Sequence, residues 1–199
     1  MRVTPEEYNR IDLRAHALLA GVPLEDVWAV DLAGRRRRCT IDDVRGFFSL
    51  EQLRATNAVV NLLVTFRMWL GRVFDWDRTP ARIHEESYLH RLSPADRAAS
   101  LVPPGTADGP FRVLFVSPRE AIAELHNSTV HGFSVLALVE RPSGYRLYWG
   151  IHVLPVGRLT RFYMRLIDPF RRIIIYPAVL RHVRAAWARA EGAAEPPER

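Results

Sequence analysis

The side chains best suited to acid–base chemistry near neutral pH are His126, His131 and His152, on three neighbouring predicted strands. Strand alternation places His131 on an apolar face and His152 opposite Ser134 on the other, so the three do not converge. His131 beside Tyr145, Trp149 and Tyr163 reads as a polar fixture in an apolar cavity; a hydrogen-bonded structural histidine is the simpler alternative. His84, Glu86 and His90 would share one strand face, whereas zinc ligands normally converge from separate elements, so no metal site is expected. G-x-S-x-G, H-E-x-x-H, P-loop, G-x-G-x-x-G and C-x-x-C patterns do not occur, which leaves catalytic residues unassigned and no cofactor expected.

Charge is concentrated rather than spread. All 28 basic residues are arginine, and eight of them lie between Gly157 and Ala190 against Asp168 alone, although the whole chain carries only +6. In that segment Leu159, Phe162, Tyr163, Leu166, Ile167, Phe170, Ile173 and Ile174 recur at three- and four-residue steps with arginines opposite, an amphipathic helix. Pro169 and Pro177 predict two breaks or kinks, with Asp168 able to cap a fresh start. The basic face reads as solvated; contact with an anionic membrane surface is the alternative. Nucleic acid is not expected as a partner, because the aromatics fall on the buried stripe. The run Arg35 to Arg38 reads as a solvated loop.

The elements that must position these residues follow from pattern. With 199 residues, 48% of them hydrophobic, the chain can bury a core as a single domain over 1–190, followed by a disordered tail over 191–199. It contains no apolar run long enough to cross a membrane. Met1 to Val22 lacks the features of a secretory signal, and Cys39 is the only cysteine, so a cytoplasmic location is expected. Strands are predicted over Val27–Leu32, Ile83–Leu92, Phe111–Val116, Ala121–His126, Val130–Glu140 and Tyr145–Leu154. Helices are predicted from Thr40 to Phe48, over Ala58–Phe74 and from Ser93 to Leu101, with Val102–Pro110 as loop. Ser117 to Glu120 also fits a capping box, so Arg119–His126 has a helical alternative.

A three-residue loop, Pro142-Ser143-Gly144, would set Glu140 against Arg146. One face of that hairpin then holds Phe133, Val135, Ala137, Val139, Leu147, Trp149, Ile151 and Val153. It should meet the C-terminal helix, and the mixed opposite face should meet solvent or another subunit.

The runs Asn127-Ser128-Thr129-Val130-His131-Gly132-Phe133 and Tyr163 to Arg172, with Leu166, Ile167, Pro169 and Phe170, resemble a bacterial domain family of unknown function. That family is grouped with the polyketide-cyclase and START-like (SRPBCC) proteins. The resemblance, with the element order, implies an α+β helix-grip fold, a curved antiparallel sheet wrapped on a long C-terminal helix over an apolar cavity. Its expected lining is Phe133, His131, Tyr145, Trp149, Tyr163, Ile167 and Phe170. The function this implies is binding of an apolar or amphipathic small molecule. A cyclase or isomerase in the same cavity, and a membrane-surface or partner-binding module, are the alternatives. Ligand identity and oligomeric state are not legible.

Overall fold

The computed structural model describes residues 1–34, 39–48, 87–127, 130–155 and 158–194, together with 58, 61, 62 and 65; side chains are described for these except 158–163 and 193–194. Two short helices open the chain. In α1 (Pro5–Asn9) the Thr4 side chain accepts from the Glu7 amide, and Pro5 occupies a first-turn position where its missing N–H costs nothing. In α2 (Arg14–Leu18) Leu13 offers no capping side chain, and the amides of Arg14 and Ala15 donate instead to the Glu120 carboxylate at 2.9 and 3.2 Å. A five-residue helix cannot sustain itself in water, so this distant carboxylate helps to hold it.

Next come β1 (Leu24–Ala33) and α3 (Ile41–Arg45), the latter opened by a Thr40–Asp43 capping box and continued by a 3₁₀ turn over Gly46–Phe48. Residues 58, 61, 62 and 65 are helical. The rest of the Ala58–Phe74 helix, the arginines 35–38 and residues 83–86, with His84 and Glu86, lie outside the described residues. Tyr88–Arg91 is a 3₁₀ turn, not the end of a strand. Ser87 and the Tyr88 amide both donate to the Glu124 carboxylate, a distant anchor that local pattern does not reveal. A second capping box, Ser93 with Asp96, starts α4 (Pro94–Ala99).

The remaining strands are β2 (Ala107–Asp108), β3 (Phe111–Val116), β4 (Glu120–His126), β5 (His131–Arg141) and β6 (Gly144–Leu154). Residues 120–126 are thus strand, and the expected loop 102–110 contains the short β2. Every neighbouring pair is antiparallel, in the order β1-β6-β5-β4-β3-β2. Among the described residues the protein is α+β, a six-stranded open sheet packed against a long C-terminal helix.

The β5–β6 register differs from the expected one. Arg141 pairs with Gly144, so the loop is only Pro142-Ser143; Glu140 faces Tyr145, and Arg146 faces Val139. Gly144 also pairs with Ala33 of β1 at φ +139°, where a Cβ would collide with the Leu32 carbonyl. The third loop residue is therefore drawn into the sheet by the strand on its far side. Because side chains alternate with period two, this slip of one residue turns β6 over relative to β5.

Phe133, Val135 and Ala137 consequently share a face with Tyr148. They pack beneath Tyr8, Leu13, Leu18, Tyr88 and Leu92, not beneath the C-terminal helix. The other face, expected at solvent or a subunit contact, carries that helix: Leu136, Leu138, Tyr145 and Leu147 pack with Val179, Val183 and Trp187.

The C-terminal helix runs as α5 (Arg158–Phe170), a π-helical turn (Arg171–Ile175) and α6 (Tyr176–Ala194). Neither proline breaks it. Pro169 lies inside α5, and a π turn follows immediately afterwards, so the helix continues into α6 without interruption. Residues 191–194, expected in a disordered tail, belong to α6; residues 195–199 lie outside the described residues. Arg171 and Arg172 do not join a solvated face. Arg172 Nε lies 2.9 Å from Asp26 Oδ2, Arg171 Nη2 lies 2.9 Å from Asp168 Oδ1, and the Asp26 side chain is fully buried.

Candidate functional site

The expected cavity residues divide between the two faces. His131 and Phe133 stand on the face covered by the N-terminal helices; Tyr145, Trp149 and Ile167 stand with the C-terminal helix. Phe170 is 46% exposed on the outside of that helix. The Tyr163 side chain lies outside the described residues. The slipped register is what separates Phe133 from Trp149, which had been expected to share one face.

On the helix side, Trp149 Nε1 donates to Ser134 Oγ at 2.9 Å. The indole meets Tyr176 edge-on at 5.0 Å and Phe48 at 5.3 Å. Around it Ala123, Leu125, Ser134 and Ile151 are only half-buried, although they sit in the central strands β4–β6. On the opposite face of the same strands Ile122, Phe133, Val135 and Tyr148 are buried almost completely. Met164 and Ile167 of α5 reach Val130, Val153 and Ile151 at the rim. The strands are thus less completely buried around Trp149 and Ile151 than at Leu136, Leu138 and Leu147 on the same face.

The second arrangement is polar and lies on the N-terminal face. Glu124 accepts from Ser87 Oγ, from the Tyr88 amide at 3.0 Å and from His131 Nε2 at 3.2 Å. Burial pushes its carboxyl up, but these hydrogen bonds and the His131 charge outweigh burial and hold it below the ordinary value. The His131 ring stacks on His126 at 4.2 Å with planes 8° apart, and Tyr88 meets it edge-on at 5.4 Å. A concavity of about 250 Å³ at the β2–β3 turn reaches this cluster through Arg112, Glu124 and His126. His131 is 2% exposed and its Nε2 is committed to the carboxylate, which fits a positioning role.

A larger groove, about 460 Å³, opens between α1, α2 and the end of β6, with Leu19, Val22, His16 and His152 in its wall. His152 Nδ1 lies 3.4 Å from the Val22 carbonyl, which can only accept, so Nδ1 carries the proton; burial holds the imidazole neutral by lowering its pKa. Among the described residues, none of the expected cavity residues lines either concavity.

Ser87, Glu120, Glu124 and Arg112 escaped the sequence reading. The available signal was the parity of Glu120, Ile122, Glu124 and His126, which assigns two acids and a histidine to the same strand face as a buried isoleucine. Among the described residues no group of three or more His, Cys, Asp or Glu side chains could hold a metal ion, and no helix is long and apolar enough to cross a membrane.

A family model described as a protein of unknown function (DUF2867) matches residues 18–178. No curated protein and no solved structure matches the chain.

Proposed function

We propose that this chain, which belongs to the DUF2867 family of proteins of unknown function, binds an amphipathic small molecule between the sheet and its C-terminal helix. The observation that carries the reading is the half-buried patch of Ala123, Leu125, Ser134, Trp149 and Ile151 in the middle of the sheet. Central strands normally bury such side chains on both faces once helices cover them, and here the patch is buried less completely than the N-terminal face behind it and than Leu136, Leu138 and Leu147 on its own face. An apolar ligand body against Trp149 and Ile151 would complete the layer. Ser134 already accepts from the indole, and its own O–H is available to donate to a ligand oxygen.

The resemblance to polyketide-cyclase and START-like proteins supports the same reading, that of a bacterial, cytoplasmic carrier or sensor. The acid–base pair His131 and Glu124 stands on the opposite face, so the reading is of binding without turnover.

The test is a titration of the full chain with 1-anilinonaphthalene-8-sulfonate, in wild type and in Ala123→Trp and Ile167→Trp, which fill the patch from the sheet and from the helix. Saturable binding, weakened on the order of tenfold in both variants at unchanged melting temperature, is expected of a ligand site lined by these residues. Equal binding by all three proteins would overturn it.

A further inference from the structure

We propose that the outer face of α5 and the π turn is a docking surface for an anionic lipid bilayer. The inference is independent of the ligand patch, which lies on the inner side of the same helix. Leu166 and Phe170 are each 46% exposed and Ile173 is 74% exposed. They stand four and three residues apart, so they form one outward apolar strip about two turns long. Single exposed apolar residues are ordinary; three large ones contiguous on one helix are not.

The exposed charge along this helix is mostly basic. Arg165 beside the strip and Arg181, Arg184 and Arg189 along α6 are exposed. Asp168 is the only acid between Gly157 and Ala190, and Arg171 and Arg172 occupy it. An exposed apolar strip with Arg165 beside it and further exposed arginines along the same continuous helix matches a headgroup boundary, where the strip enters the acyl region and the guanidinium groups meet phosphates.

A second copy fits less well. Two such faces brought together would set arginine against arginine, and the rest of the chain offers no compensating excess of acids, carrying 20 Arg against 21 Asp and Glu.

The test is co-sedimentation of the full chain with phosphatidylcholine vesicles and with vesicles containing about 30% phosphatidylglycerol. Two variants accompany it, L166S/F170S/I173S and R165E/R181E/R184E, all at exposed positions. Wild type should bind the anionic vesicles on the order of tenfold or more above the neutral ones. Each variant should lose most of that binding while keeping its melting temperature and its affinity for the apolar probe, which separates this proposal from the ligand patch. Failure of wild type to bind anionic vesicles, or undiminished binding by both variants, overturns it. So does a concentration-dependent dimer abolished by L166S/F170S/I173S, which would assign the strip to a second copy.

Discussion

Glu120 and Glu124 stand four residues apart on one face of β4, and their carboxyls are displaced in opposite directions. Both cap helical turns far away in sequence, Glu120 through the α2 amides and Glu124 through Ser87 and Tyr88. At Glu120 burial dominates and raises the pKa above 4.5; at Glu124 burial is outweighed by three hydrogen bonds and the pKa falls below 4.5. A depressed carboxyl contributes stability that is present above the unfolded-state value and lost as pH falls through the folded one. A raised carboxyl does the reverse, contributing most at low pH and losing that contribution as pH rises through the folded value. Glu124→Gln should therefore cost about 1–3 kcal/mol near neutral pH, with the deficit shrinking towards about pH 4. Glu120→Gln keeps one acceptor and removes a buried charge, so it should cost less at neutral pH and compare worse with wild type on acidification. Urea unfolding at the two pH values decides it; parallel pH profiles for all three proteins would contradict the assignment.

At the scale of elements, the β5–β6 hairpin and the helix-to-sheet clamp show where tertiary contacts overrule local pattern. Gly144 is held at φ +139° against β1, a conformation that strains any L residue. Gly144→Ala should cost roughly 1–3 kcal/mol and speed amide exchange in both β1 and β6, since the two strands pair through that residue. Exchange restored to wild-type rates would show that the backbone relaxes elsewhere. The clamp joins Asp26 of β1 to the π turn. Asp26→Ala leaves Arg171, whose side chain is 12% exposed, without one of its two carboxylates and Arg172 with Asp168 alone. The expected loss is about 3–5 kcal/mol, with little dependence on salt. Arg2→Ala, at the exposed end of the same cluster, should cost under about 1 kcal/mol.

Across the whole molecule the sheet is a partition, buried almost completely on its N-terminal face and around Leu147 and Trp187, and only half-buried around Trp149 and Ile151. Two tryptophans sample the difference. Trp187 is 2% exposed and donates to the Ala33 carbonyl at 2.7 Å, whereas Trp149 is half-buried within the proposed ligand patch. Trp187→Ala should cost about 3–5 kcal/mol as a packed core deletion, and Trp149→Ala roughly half of that, because part of its surface already lacks protein contacts. Denaturant unfolding of the two variants measures this. Equal costs would mean that the sheet is packed as fully around Trp149 as around Trp187.

The sequence by itself determined what depends on neighbours within a few residues. The strands β3, β4, β5 and β6 were legible in pattern, the helix starts at Thr40 and Ser93 in local side-chain chemistry, and the long C-terminal helix in its three- and four-residue stripe. Tertiary structure alone decided which helix covers which face. Alternation with period two states that a strand has two faces but not what meets them, and a single residue, Gly144, pairing with Ala33 more than a hundred positions away, sets the parity of β6. The same distance separates Glu120 from the amides it caps and Asp26 from Arg171 and Arg172. Two carboxylates that look solvated in the sequence are therefore buried and two arginines are drawn half out of solvent, because their partners lie more than a hundred residues away and the fold brings them to hydrogen-bonding distance.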